Sequence, residues 1–169
     1  IFELSGQGQA LRTQNLIMRH DTEVPVGAAV DFISKRADVD KDAVALFGMS
    51  LGGYFAPRAA AFDERIKAVV TFNVFYGTYE STLNQNPQLK VLETLPNEKK
   101  EALLAMAEEK NPSLRWMINN GIWVMGLKHR YEVFDEMKKY TLRGVADKIK
   151  CPVLLTIGEA DHFVSEDQL

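Results

Sequence analysis

The sequence has little cysteine, little histidine and no long apolar run. Each shortage excludes some kinds of protein or some kinds of site. Because Cys151 is the single cysteine, no internal disulfide can form within these residues, which is compatible with a reducing cytoplasm. The longest apolar stretches have the length of strands, far below the roughly 20 residues of a membrane-spanning helix. No run of lysine or arginine indicates a nucleic-acid or membrane partner, and the net charge is only -3. We therefore expect a cytoplasmic protein.

The 169 residues are 46% hydrophobic and 25% charged, which is typical of a soluble globular domain. The chain begins at Ile1, without a methionine, in a segment that resembles the end of a strand. It stops at Leu169, just after a capping-box pattern at Ser165–Gln168 that predicts the start of a helix. Both ends are therefore expected to be internal to a larger protein.

Apolar runs and amphipathic segments alternate in the first half of the chain. A continuous apolar run at 43–47 predicts a strand that is buried on both faces of a parallel sheet, and another apolar run at 68–72 predicts a second strand. Helical spacing predicts helices at about 22–36 and 51–61. A further run at 153–157 resumes the strand pattern. This order predicts the α/β class with a mostly parallel sheet.

No strand-like run is present between Thr78 and Lys150, where three helical patterns follow one another instead. We interpret this stretch as a helical cap inserted into the sheet domain. The predicted division is a first core part at 1–77, a cap at 78–148 and a second core part at 149–169.

Gly48-x-Ser50-x-Gly52 lies between an apolar strand and an alanine-rich helix, which is the setting of a nucleophile elbow. In such an elbow the serine hydroxyl projects from the carboxyl end of the sheet, and the glycines leave room for the tight turn. Ser50 is the predicted nucleophile. The backbone N–H of Leu51, at the start of the helix, is the predicted oxyanion donor.

A serine nucleophile needs a base and an orienting acid, and in this fold the chain order is serine, acid, histidine. Asp161 follows the last predicted strand and is the candidate acid, with Glu159 as the rival. His20 precedes the elbow, His129 lies in the predicted cap and His162 adjoins Asp161, so none of the three fits as the base. The catalytic histidine and the second oxyanion donor are expected outside the chain, which by itself should be nearly inactive.

These motifs resemble α/β hydrolases related to 2,6-dihydroxypseudooxynicotine hydrolase and the FrsA-type esterases. The segments that carry the resemblance are Gly6-Gln7-Gly8, Arg19-His20-Asp21-x-Glu23, Val30-Asp31-Phe32, Gly48–Tyr54, Ala56–Ala68, Ile149–Leu154 and Gly158-x-x-Asp161-His162-Phe163. The resemblance implies a mostly parallel sheet with a helical cap, no cofactor and no metal. It implies hydrolysis of a small-molecule ester, or of a C–C bond next to a carbonyl, and possible homodimers. Ser50 then corresponds to the nucleophile and Asp161 to the acid.

Aromatic residues are the candidates for substrate binding. Phe75 and Tyr76 follow the second predicted strand, at the edge of the sheet where Ser50 is expected. Trp123, in the predicted cap, either contacts the substrate or belongs to the cap's own apolar core. Two further functions remain open: a catalytically inactive binding protein with the same fold, and a peptidase of the prolyl-oligopeptidase type, whose propeller domain is absent from this stretch.

Overall fold

The computed structural model describes residues 1–159, 161, 164 and 168, and the chain divides into two compact units. The helical unit comprises Ile1, Glu3–Arg19 and Thr82–Lys139. The sheet unit comprises Phe2, His20–Ser81 and Tyr140–Leu169. The predicted division into core at 1–77 and 149–169 and cap at 78–148 stays a prediction.

The elements are, in chain order, α1 (Gly8–Gln14), α2 (Glu23–Ile33), β1 (Ala45–Met49), α3 (Gly52–Ala60), β2 (Ala68–Phe72), α4 (Thr78–Gln85), a 3-10 helix (Pro87–Glu93), α5 (Asn97–Lys110), α6 (Pro112–Met125), α7 (Arg130–Met137), a second 3-10 helix (Ala146–Lys148) and β3 (Val153–Thr156). The predicted α/β order is confirmed. Within the described ranges, no helix is long and apolar enough to cross a membrane.

Several local predictions were wrong. The first strand begins at Ala45 rather than Ala43 and continues through Gly48 to Met49. Residues 1–3 form no strand. The helices α1 and α4 were missed because α1 buries a single apolar side chain and α4 is mostly polar, so neither shows an apolar stripe. The helix predicted to start at Ser165 falls largely outside the described residues.

Three parallel strands in the order β1-β2-β3 form the sheet. Phe72, the last residue of β2, pairs with Met49 on one side and Thr156 on the other, so the three strands end level. Because parallel strands of this kind present their carboxyl ends at one edge, the loops after β1, β2 and β3 emerge side by side. Cys151 is half-buried just before β3, at the opposite edge.

Only one face of β1 is covered in the described part of the chain. Gly48 faces α3, since a Cβ there would lie 2.0 Å from the Gly52 carbonyl oxygen. Phe47 and Met49 point the other way and are 67% and 63% exposed. The prediction of burial on both faces is therefore wrong for Phe47, because a short apolar run does not reveal how many layers cover it.

A partly buried ion pair links α2 to α3. The Arg58 guanidinium donates Nε and Nη2 hydrogen bonds of 2.8 and 3.0 Å to the two carboxylate oxygens of Glu23. The hydrogen bonds to Glu23 raise the pKa of Arg58. Next to this pair, Thr22 Oγ1 donates to the Phe55 carbonyl at 3.1 Å, and Tyr54 Oη donates to the His20 carbonyl at 2.8 Å. Burial raises the pKa of Tyr54 to about 12, so the phenol keeps its donor proton at neutral pH.

The helical unit has its own apolar core, in which Leu104, Ile118 and Val133 are fully buried. At Gly121, α6 approaches α7 so closely that a Cβ would lie 2.6 Å from a Val133 methyl group. Helix α6 starts as the sequence predicts: the Asn111 side chain accepts the Leu114 N–H at 3.1 Å, and Pro112 follows the cap.

Charged groups also join the helices of this unit. Arg130, at the start of α7, donates to Glu101 at 2.8 Å and to the buried Glu108 at 3.1 Å, both on α5. The hydrogen bond to Glu101, followed by that to Glu108, raises the pKa of Arg130.

We predict that Arg58→Met destabilises the protein by about 1–3 kcal/mol, because it leaves the poorly hydrated Glu23 carboxylate without its donor. Arg36→Met is the matched control: Arg36 makes the same two-point contact with Asp38, but both side chains are more than half exposed. It should change the free energy of unfolding by less than about 1 kcal/mol. Urea unfolding measures the free energy of unfolding of both variants. Equal losses would show that the Arg58–Glu23 pair contributes no more to stability than the exposed Arg36–Asp38 pair.

Candidate active site

Ser50 occupies a sharp turn between β1 and α3. Its φ angle is +55°, in the left-handed region that side chains other than glycine rarely adopt. Two backbone hydrogen bonds hold the turn: Ser50 N–H donates to the Phe72 carbonyl at 2.9 Å, and the Ser50 carbonyl accepts the Gly53 N–H at 2.7 Å. The residue is exposed, and its hydroxyl makes no hydrogen bond within the described part of the chain. This geometry is that of a strand-to-helix elbow.

The glycines around Ser50 are not equivalent. At Gly48 a Cβ would lie 2.0 Å from the Gly52 carbonyl oxygen, and at Gly53 it would lie 1.7 Å from the Asn73 carbonyl oxygen. At Gly52 nothing lies within 4 Å. The motif suggests that a side chain at position 52 would clash. In the structure the position that has no space for a side chain is Gly53, whose backbone packs against the chain leaving β2.

Leu51 directly precedes α3, in helical conformation (φ -57°, ψ -20°). Its carbonyl accepts the N–H groups of Tyr54 and Phe55, at 3.0 and 3.2 Å. Across residues 1–159, 161, 164 and 168, its own N–H donates to no acceptor. A donor of this kind, at the amino end of a helix and next to the serine, is suited to an oxyanion, and its role stays a prediction.

Asp161 lies in the loop after β3 and is half-buried. Its N–H donates to the Gly158 carbonyl at 3.0 Å, and its Oδ1 accepts the Val164 N–H at 2.9 Å. Its Oδ2 accepts a hydrogen bond from the Asn73 side chain. The rival acid Glu159 is exposed.

Asn73 was not among the residues predicted from the sequence. It follows β2 directly, with a φ angle of +68°. Because β2 is the central strand, Asn73 stands between the loop that carries Ser50 and the loop that carries Asp161. An asparagine at the end of a central strand was the available signal, since this residue tolerates the left-handed conformation better than most.

The predicted substrate-binding aromatics fall into different units. Phe75 is half-buried and Tyr76 exposed, both in the loop after β2 in the sheet unit. The Tyr76 carbonyl accepts the Leu142 N–H at 2.7 Å, which ties this loop to the segment after α7. Trp123 lies on α6 in the helical unit, half exposed, with the Arg12 guanidinium 5.3 Å from its ring centroid.

Two histidines have defined surroundings. The His20 ring meets Tyr140 edge to face, with 6.2 Å between centroids. The His129 ring stacks on Tyr131, with 5.4 Å between centroids, in the helical unit. The backbone N–H of His129 donates to the Glu132 carboxylate at 2.9 Å. Hydrogen bonds from the Lys128 and His129 N–H groups lower the pKa of Glu132. His162 lies outside the described residues, and the expectation that the base comes from outside the chain stays a prediction.

Comparison with known proteins adds a family to this geometry. The family described as BAAT / Acyl-CoA thioester hydrolase C terminal matches residues 27–168. The curated relatives include hydrolase acrC of Aspergillus aculeatus, 34% identical over 96% of this chain and 39% of the relative. They also include the 20-hydroxy-prefusarin hydrolase FUS2 of Gibberella moniliformis, 35% identical over 96% of this chain and 40% of the relative. The chain thus spans about two fifths of the relatives' length.

Among solved structures, the 2,6-dihydroxy-pseudo-oxynicotine hydrolase matches with a TM-score of 0.69 and 21% identity, over 96% of this chain and 38% of that one. AbyA5 matches with a TM-score of 0.63 and 16% identity, over 90% and 36%. Identities this low establish the fold alone. The two structural matches confirm the α/β-hydrolase fold, and the first of them is the hydrolase that the sequence motifs resemble.

We predict opposite outcomes for alanine at two adjacent glycines. Gly53→Ala should destabilise the protein by at least about 1–3 kcal/mol, because the new Cβ collides with the Asn73 backbone. Gly52→Ala, where the space is open, should be neutral or stabilise by up to about 1 kcal/mol. Thermal unfolding of both variants measures the contrast. Equal melting temperatures would show that the close approach of α3 to the chain after β2 is not present.

Proposed function

The chain belongs to the BAAT / acyl-CoA thioester hydrolase C-terminal family, and on this premise we propose that its protein is a serine hydrolase with Ser50 as nucleophile. The observation that carries the proposal is the left-handed, exposed Ser50 between β1 and α3. A surface serine with no chemical role would not need that backbone conformation, which costs of order 1–3 kcal/mol.

The proposed reaction is acyl transfer from a carboxylic ester or thioester. Ser50 Oγ attacks the substrate carbonyl carbon, and its proton passes to a histidine that we expect outside residues 1–169. The Leu51 N–H receives the developing oxyanion. The alcohol or thiol leaves with the proton from the histidine, and water then hydrolyses the acyl-enzyme. A C–C bond next to a carbonyl is the alternative substrate bond, for which the leaving group is a carbanion that must be protonated.

Asp161 is the proposed acid. Its position after β3, in a strand order that places β2 between it and Ser50, fits a carboxylate that orients the histidine from the far side. The Val164 N–H and the Asn73 side chain both donate to it, which favours one orientation of the carboxylate. Phe75 and Tyr76, in the loop after β2, are the proposed contacts for the acyl group, and Trp123 stays a candidate.

We predict that a fluorophosphonate probe labels Ser50 in the protein that carries this chain. Ser50→Ala should abolish the labelling, because the phosphorus bonds to the serine oxygen. Ser34→Ala, at the end of α2, should leave it intact. Intact-mass measurement and mapping of the adduct decide the result. A folded wild-type protein that refuses the probe would favour the inactive binding protein with the same fold.

We further predict that Asp161→Asn lowers kcat for p-nitrophenyl acetate by about 10³- to 10⁴-fold, since the histidine would lose the group that fixes its tautomer. Glu159→Gln is the matched control from the same loop and should stay within about twofold of wild type. Steady-state kinetics measure both variants. If the two results are exchanged, Glu159 is the acid.

A further inference from the structure

We propose that Asn73 is a positioning residue, which holds the Asp161 carboxylate in the orientation that the catalytic histidine requires. This inference rests on the proposed function, because it concerns the acid of the same site. It adds a residue that directly follows the central strand β2 to a site otherwise drawn from the loops after β1 and β3.

The backbone of Asn73 is held from two sides. Its N–H donates to the Thr156 carbonyl at 3.0 Å, which continues the β2–β3 ladder by one residue. On the other side, Gly53 of α3 packs directly on the Asn73 carbonyl oxygen, where no Cβ would fit. The position of Asn73 is therefore set jointly by the strand that leads to Asp161 and by the helix that follows Ser50.

The side chain of Asn73 uses this fixed backbone to reach Asp161. Its Nδ2 donates to Asp161 Oδ2 in a half-buried setting, 88 positions away in the sequence. The other oxygen, Oδ1, accepts the Val164 N–H at 2.9 Å from within its own loop. Two donors from different directions restrict the rotation of the carboxylate.

The contact with Asn73 bears on the orientation of the Asp161 carboxylate. A small misplacement of a catalytic group can cost a factor of about 100 in rate. Loss of the Asn73 donor is therefore expected to slow the reaction without removing any atom that touches substrate.

A purely structural role would be that Asn73 only tolerates the left-handed turn. Asn73→Gly separates the two roles, because glycine keeps a positive φ angle at no steric cost and lacks the side-chain donor. Asn15→Gly is the matched control: Asn15 also has a positive φ angle, +55°, and ends α1 in the helical unit.

The experiment is a double-mutant cycle of Asn73→Gly and Asp161→Asn in the protein that carries this chain, with p-nitrophenyl acetate as substrate. Asn73→Gly should lower kcat by about 10- to 100-fold and leave KM within about twofold. In the Asp161→Asn background the same change should alter kcat by less than about twofold, because Asn73 acts only through Asp161. Asn15→Gly should leave kcat unchanged, and melting temperatures identify any variant that has unfolded.

The other outcomes overturn the inference in distinguishable ways. If Asp161→Asn and Ser50→Ala are inactive but Asn73→Gly is fully active, Asn73 does not position the acid, and the proposed function stands. The same holds if Asn73→Gly lowers kcat equally in both backgrounds, since its effect then does not pass through Asp161. If Ser50→Ala keeps wild-type turnover, the proposed function fails and the role of Asn73 fails with it.

Discussion

The β ladder continues one residue past the end of the strands, and the candidate site depends on this extension. Ser50 N–H donates to the Phe72 carbonyl at 2.9 Å, and Asn73 N–H donates to the Thr156 carbonyl at 3.0 Å. Each donor is the first residue after its strand, and each has a positive φ angle. Hydrogen bonds to the sheet therefore hold the backbone at Ser50 and Asn73, the two residues that adopt the sparsely populated left-handed conformation. Because the strands end level, the two turns, together with the loop that carries Asp161, lie along one edge of the sheet.

Much of the sheet unit could be predicted from the sequence, because its signals are local. An apolar run followed by Gly48-x-Ser50 predicts the turn from a strand into a helix, and Pro112 after Asn111 predicts the start of α6. What could not be predicted depends on contacts between distant segments. The exposure of Phe47 depends on how many layers cover the sheet. Whether a side chain fits at Gly52 or at Gly53 depends on the path of the chain after β2. Asn73 was missed for the same reason, since its partner Asp161 is 88 positions away.

The family assignment and the geometry answer different questions. The matched family covers residues 27–168, which include β1, α3, β2 and β3, so the elbow at Ser50 lies within the part of the chain that carries the family assignment. The relatives are about two and a half times as long as this chain. What these residues contribute is the scaffold for the proposed nucleophile Ser50 and the proposed acid Asp161, together with the polar contacts that hold them.

The position of Cys151 makes the chain convenient for spectroscopy. It is the single thiol in residues 1–169, half-buried and two residues before β3, whereas the candidate site lies after the strands. A strand of four residues separates the two edges by about 13 Å. A maleimide dye or spin label on Cys151 would thus report on the sheet from the edge opposite Ser50, without adding atoms beside the candidate site. The shortage of cysteine that excludes a disulfide also supplies a unique attachment point within this stretch.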